Sequence, residues 1–406
     1  MELKDRLIRY VKVDTQSDPN SENIPSTQKQ FDLARILKQE MIDMGMSDVI
    51  LDEHCYVYGT IHSNIDKKVP TVGFIAHMDT SPDFSGENVN PRIIENYDGK
   101  DIKLNEERTI KVSEFPQFKN YVGNNIMVTD GNTLLGADDK AGIASIMQAC
   151  KYILENKNIP HGTIKVGFTP DEEVGKGADL FDVEGFGCDF AYTLDGDEVN
   201  GLENENFNAE SVIVNIKGTS IHPGTAKDKM VNAINLAMEF HANLPAHVRP
   251  EHTEKREGFN HISSIKGNVE SATLKYIVRN HDRDIFNKQL DLFKDIENFM
   301  NKKYSGNRVS VEYVRPGYYN MYEILKDKPE IVDIAKQAMI QAGLNVELKA
   351  IRGGTDGSKL TFMGLPCPNI GTGGGNFHGP YEYCNLTQLE KSVEVIINII
   401  KKVGEI

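Results

Sequence analysis

TVGFIAHMD, residues 71–79, is a short run of β-branched and aromatic residues that ends on His77 and Asp79. Two further runs have the same build. Thr163–Thr169 is followed by Asp171-Glu172-Glu173, and Phe190–Leu194 is closed by Asp195. A shorter run, Cys367–Ile370, feeds a glycine-rich turn that ends at His378. Between the first two runs, Gly136-Ala-Asp138-Asp139-Lys140 leads into Ala141–Asn156. There Ile143, Ile146, Met147, Cys150 and Ile153 recur at helical spacing. Strands alternating with helices read as a largely parallel sheet with helices on both faces. Ligands of such sheets gather where the strands end at their carboxyl side. The acids and histidines of this chain fall at those ends.

The chain has 406 residues, more than one hydrophobic core usually serves, so two domains are expected. From Phe207 the pattern changes. Ser211–Lys217 reads as a strand, Met230–Leu244 as a helix, and His261–Lys266 and Thr273–Val278 as two strands. Phe286–Lys302 reads as a helix and Arg308–Val314 as a strand. The order β-α-β-β-α-β is a ferredoxin-like α+β unit. It predicts one α/β catalytic domain in two pieces, residues 1–206 and 317–406, interrupted by an inserted lid at 207–316. Thr27-x-x-Gln30 and Thr387-x-x-Glu390 read as caps opening two helices.

Composition narrows the function. Hydrophobic residues make up 39% and charged residues 26%, the balance of a soluble globular protein. No apolar run spans a bilayer, and the N-terminus MELKDRLIRY lacks the apolar stretch of a signal peptide. A cytoplasmic protein is expected. The formal net charge of -15 argues against nucleic acid and anionic membrane as partners. Five cysteines, none in C-x-x-C spacing, indicate neither a disulfide framework nor a thiolate metal site.

Each acidic or histidine motif has an ordinary explanation when read singly. H-x-D is common, Asp138-Asp139 suits a helix N-terminus, and Asp171-Glu172-Glu173 suits an exposed loop. Together they point to cations. Adjacent carboxylates repel and need compensation. Two imidazoles with three carboxylates can hold two zinc ions, and the charges then nearly balance. Cobalt or manganese fits the same donors. A second acid beside a ligand is placed to move protons.

The chain resembles the co-catalytic dizinc exopeptidases, the family that includes glutamate carboxypeptidase. The resemblance spans the whole length. It rests on GFIAHMDTSPD (73–83), NVNP (88–91), TLLGADDKAGIA (133–144), IPHG (159–162), FTPDEEVGKGA (168–178) and ENFNA (205–209). HPGTAK (222–227), IRGGTDG (351–357), FMGLPCPN (362–369) and FHG (377–379) follow in the expected order. It implies that His77 and Asp195 hold one zinc, that Glu173 and His378 hold the other, and that Asp138 bridges them through a cis peptide to Asp139. It further implies Glu172 as general base, Asp79 as the partner that orients His77, and His222 from the lid as a donor to the oxyanion. Arg279 and Arg352 are implied as candidates to grip the substrate's terminal carboxylate. An aspartate at position 195 goes with aminopeptidases. The substrates implied are tripeptides with a free N-terminus, and the assembly a homodimer through the lid. The rival readings are a carboxypeptidase, dipeptidase or N-acyl-amino-acid deacylase on the same scaffold, and a non-catalytic protein with structural zinc.

Overall fold

The computed structural model describes the backbone of residues 1–406 and every side chain outside 315 and 316. Helices α1 (Leu3–Val11) and α2 (Gln30–Met44) precede strands β1 (Ser47–Leu51), β2 (Val57–Ile61) and β3 (Val72–His77). Helix α3 (Ala137–Glu155) leads to β4 (Ile164–Thr169), β5 (Phe190–Gly196) and β6 (Gly201–Asn206). Next come β7 (Asn208–Lys217), α4 (Ala233–Asn243), β8 (Phe259–Gly267), β9 (Ser271–Asn280), α5 (Arg283–Lys303) and β10 (Val309–Tyr318). The chain closes with α6 (Pro329–Gln341), β11 (Glu347–Ile351), β12 (Asn369–Gly371) and α7 (Leu386–Glu405). Among the described residues, no helix is long and apolar enough to cross a membrane.

The chain divides into two compact units. One holds residues 1–204, 321–349 and 355–406, and the other holds 205–320 with 350–354. In the first unit the main sheet has the order β1-β2-β4-β3-β5-β12-β6-β11. Its centre is parallel: β3 pairs with β4 and β5, and β5 pairs with β12. The flanks β1, β2 and β6 pair antiparallel. The fold is thus the expected mixed α/β sheet, with parallel pairing at its centre.

That centre is covered on both faces, as parallel sheets must be. Every residue of β3 is buried. Phe74 and Ala76 pack with Phe168, Tyr192 and Leu194 against apolar side chains of α1, α2, α3, α6 and α7. Ile75, pointing the other way, joins Ala191, Phe181, Phe186, Leu360 and Cys367. Each large side chain buried in this way contributes roughly 1.5–3 kcal/mol. The core holds the carboxyl ends of β3, β4 and β5 in register, and that edge carries the site.

Two helix starts differ from the sequence reading. Neither Thr27 nor Gln30 caps α2: its first residue is Gln30, and Lys29 at the cap position is already helical. Thr27 Oγ1 donates to the Gln16 carbonyl, and Gln30 turns to Asp171. Helix α7 is capped by Asn385, whose side chain accepts from Gln388 N at 3.2 Å, so Thr387 lies inside the helix. In both places a more distant or earlier partner outcompetes the local box.

The second unit has a four-stranded antiparallel sheet, β8-β9-β7-β10, with α4 and α5 packed on it. Val212, Val214, Leu274 and Tyr276 from the strands meet Phe240 and Phe293 from the helices. This is the β-α-β-β-α-β order read from the sequence. Residues 350–354 belong here because Arg352 is held by this unit: its guanidinium donates to the carbonyls of Lys255 (2.8 Å) and Glu257 (2.9 Å).

Gly142, in the second turn of α3, marks how closely helix and sheet approach. A Cβ there would lie 2.1 Å from the Leu194 carbonyl oxygen and 2.4 Å from Asp139 Oδ1. Gly142→Ala should therefore cost about 1–3 kcal/mol or more, read as a lowered urea midpoint. A variant as stable as the parent protein would contradict this packing.

Candidate metal centre

All five expected ligands belong to the first unit, at the carboxyl edge of its parallel strands. His77 is the last residue of β3, and Asp195 is the last but one of β5. Glu172 and Glu173 form a 3-10 turn just after β4. Asp138 stands in the first turn of α3, and its peptide to Asp139 is cis. His378 follows β12 in a loop, with φ 63°.

The structure brings these residues into contact. His77 Nε2 lies 2.8 Å from Asp138 Oδ1 and 3.4 Å from Asp195 Oδ1. His378 Nε2 lies 2.9 Å from Glu173 Oε2 and 3.3 Å from Asp138 Oδ2. One carboxylate, Asp138, thus stands between two imidazoles. His77, Glu172 and Asp195 present donor atoms within 4.8 Å of one another, and so do His77, Asp138 and Glu173. Glu172 is therefore as near a cation position as Glu173. The two differ in partners, since Glu173 is the one engaged by His378.

Asp79 does more than face His77. Its Oδ1 is 3.3 Å from His77 Nδ1, and its carbonyl oxygen is 3.1 Å away. The same carboxylate accepts the backbone N–H groups of Glu172 (2.9 Å) and Glu173 (3.2 Å). Asp79 thereby ties the His77 strand end to the turn that carries both glutamates. Asp171, at φ 56°, points away from this cluster. Its carboxylate accepts from Ser26 N and from Gln30 Nε2, at 2.5 and 2.6 Å.

Other positioning residues carry no local sequence signal. Asn369 Oδ1 accepts the Asp195 N–H at 2.9 Å, while its Nδ2 donates to buried Glu203 at 2.7 Å. Glu382 accepts N–H groups from the loop before Asp138. Asp356 is buried and accepts from Thr169 Oγ1 at 2.8 Å. Each partner is remote in the chain.

The electrostatics of the metal-free site are unfavourable. Withdrawal from water, reinforced by Asp195, pushes Glu172 and Asp139 well above the usual carboxylate range. Burial raises Glu173 to about 8, Asp195 to about 6, Asp356 to about 7 and Glu382 to about 7. Burial disfavours charge on His77 as well, yet Asp195, Asp138 and Asp79 prevail and raise it well above normal. Hydrogen bonds to Asp138 and Glu173 raise His378 to about 11. Asp138 goes the other way: burial opposes its charge, but the two imidazoles hold it low.

The donor chemistry fits divalent cations. The atoms offered are imidazole nitrogens and carboxylate oxygens, a set suited to zinc in an open site. Glu173 Oε1 is buried and has no hydrogen-bond partner among the described residues. A cation would satisfy that oxygen and neutralise the crowded acids. His77, Asp195, Glu173, His378 and the intervening Asp138 would hold two such ions.

The remaining candidates lie in the second unit. His222 is exposed, and its Nδ1 accepts from Gly224 N at 3.1 Å, which leaves the ring proton on Nε2. Arg279, on β9, donates through Nη1 to the Arg352 carbonyl at 2.9 Å. Its Nε is buried with no partner among the described residues. Besides the two carbonyls above, Arg352 donates to Thr253 Oγ1 at 3.0 Å and packs over the rings of Phe207 and Phe259.

Residues 128–402 match the peptidase family M20/M25/M40. Over 98% of both chains, this protein is 52% identical to peptidase T of Alkaliphilus oremlandii and 53% identical to that of Geobacillus thermodenitrificans. The crystal structure of aminopeptidase PepT from Bacillus cereus superposes with a TM-score of 0.79 at 25% identity, covering 99% of this chain and 98% of that one. A dinuclear metal-binding peptidase of Bacillus subtilis shares the fold, with a TM-score of 0.67 at 13% identity over 99% of each chain.

The raised groups set a pH dependence for the chelated protein. Glutamate titrates at 4.5 and histidine at 6.5 when unperturbed, whereas Glu173 and His378 here reach about 8 and about 11. Between those limits the folded state binds more protons than the unfolded one, so stability falls as pH rises. Thermal unfolding in chelator should give a lower midpoint at about pH 8 than at about pH 5.5. A midpoint that rises over this range would contradict the assignment.

Proposed function

The chain belongs to the peptidase family M20/M25/M40 and is a metallo-aminopeptidase; we propose that it releases the N-terminal residue of tripeptides by hydrolysis across two zinc ions. The observation that carries the reading is Asp138, held between the imidazoles of His77 and His378 at 2.8 and 3.3 Å. A carboxylate flanked in this way would be shared by two cations. The peptidase T relatives and the dinuclear metal-binding peptidase of Bacillus subtilis support the reading.

When bound, two divalent cations polarise the scissile carbonyl and lower the pKa of the attacking water. His77 and Asp195 would hold one, Glu173 and His378 the other, with Asp138 shared. Glu172 takes the proton from the water and returns it to the leaving amine. Asp79 keeps His77 and the Glu172–Glu173 turn aligned through both oxygens of one carboxylate. Among the side chains of the second unit, His222 offers an Nε2 proton suited to a developing oxyanion. Arg279 offers N–H groups suited to the substrate's terminal carboxylate.

Mass spectrometry of products from an unblocked tripeptide and its N-acetylated form tests this function. The free peptide should give one amino acid and one dipeptide, with cleavage abolished by chelator and restored by zinc. The blocked form should survive. Cleavage of the blocked peptide would overturn the reading in favour of a carboxypeptidase or deacylase. Glu172→Ala should retain both metals and lose turnover by about 10²–10⁴-fold. Near-normal turnover with full metal content would remove Glu172 as the base.

A further inference from the structure

Glu382 is a buried carboxylate with an unusual set of partners. Its Oε2 accepts the N–H groups of Leu135 (2.7 Å) and Gly136 (2.9 Å), and its Oε1 accepts the N–H of Asp138 (3.1 Å). These three donors come from the loop that opens α3 and presents Asp138. Both oxygens face N–H groups, so neither can be replaced by a donor. Gly136 sits at φ 78°, which turns the loop toward the carboxylate.

Glu382 also belongs to the loop that presents His378. Its own N–H donates to the Gly379 carbonyl at 3.2 Å, closing the turn Gly379-Pro380-Tyr381-Glu382 directly after His378. One residue therefore joins two loops far apart in the chain. One loop carries the carboxylate between the imidazoles, and the other carries one of those imidazoles. Asp138 Oδ2 and His378 Nε2 stand 3.3 Å apart across this joint.

We propose that Glu382 is a positioning residue that sets the separation of Asp138 and His378, and so governs the affinity of the metal position formed by Asp138, Glu173 and His378. The position built on His77 and Asp195 shares Asp138, but its other two ligands are anchored independently of Glu382. The backbone of β3 holds His77, and Asn369 holds the Asp195 N–H. Loss of the Glu382 clamp therefore acts unequally on the two positions. Glutamine in its place keeps one acceptor oxygen and turns an NH2 group toward an N–H donor. The Asp138 loop then shifts while the fold around it persists.

The inference rests on the two-metal reading, and one experiment separates them. The metal-stripped parent protein and E382Q are titrated with Zn2+ against a chromophoric chelator, and with Co2+ by visible absorption. Thermal unfolding of both metal-free proteins is recorded alongside. The parent should bind two ions, and failure to do so would overturn the two-metal reading itself. E382Q should bind one ion as the parent does and the other about 10–100-fold more weakly, with an altered Co2+ spectrum for that second ion. Unchanged affinities, with or without a lower melting midpoint, would overturn the proposal, since Glu382 would then serve the fold alone. Equal weakening at both positions would also overturn it. Should E382Q fail to fold, E382D keeps the charge but not the reach, and the same pattern of unequal loss is expected of it.

Discussion

Like charges held together out of water are the constraint on which this molecule turns. Asp138, Asp139, Glu172, Glu173 and Asp195 converge where β3, β4 and β5 end, and the protein supplies two imidazoles against them. Carboxylates at such spacing either take up protons or find cations. Burial and mutual repulsion push Glu172 and Asp139 well above the usual range and Glu173 to about 8. The folding of the first unit thus builds a site that is electrostatically incomplete. The core of large apolar side chains around β3 holds that incompleteness in place.

Much of this was legible in the sequence because the ligands sit at strand ends. A short β-prone run followed at once by His77, or closed by Asp195, marks both an element and the edge it exposes. The ferredoxin-like order of the second unit was legible for a similar reason, since each element carries its own periodicity. What was not legible depends on partners distant in the chain. Glu382 meets Leu135, Gly136 and Asp138 only after folding, and Asn369 meets Asp195 in the same way. Gln30 looked like part of a helix cap, yet it bonds Asp171, and Asn385 caps α7 ahead of Thr387. The bonds from Arg352 to the carbonyls of Lys255 and Glu257 are of the same kind.

The supporting residues share one design. Each ligand-bearing segment is fixed by a polar side chain from elsewhere: Asp79 for the glutamate turn, Asn369 for Asp195, Glu382 for the Asp138 loop, Ser26 and Gln30 for Asp171. Such partners fix the orientation of metal ligands and bear on affinity nearly as much as the ligands do. The acidic triplet Asp171-Glu172-Glu173 illustrates the division of labour. Its first acid anchors the turn by accepting from Ser26 and Gln30, which leaves the next two to face the cluster around Asp138 and Asp195.

The central claim is that two cations share Asp138. Anomalous diffraction at the zinc edge from crystals of the zinc-loaded protein tests it most directly. The account predicts two peaks about 3.5–4 Å apart, one beside His77 and Asp195 and the other beside Glu173 and His378, with one oxygen of Asp138 on each. A single peak, or two peaks that do not share Asp138, would contradict it.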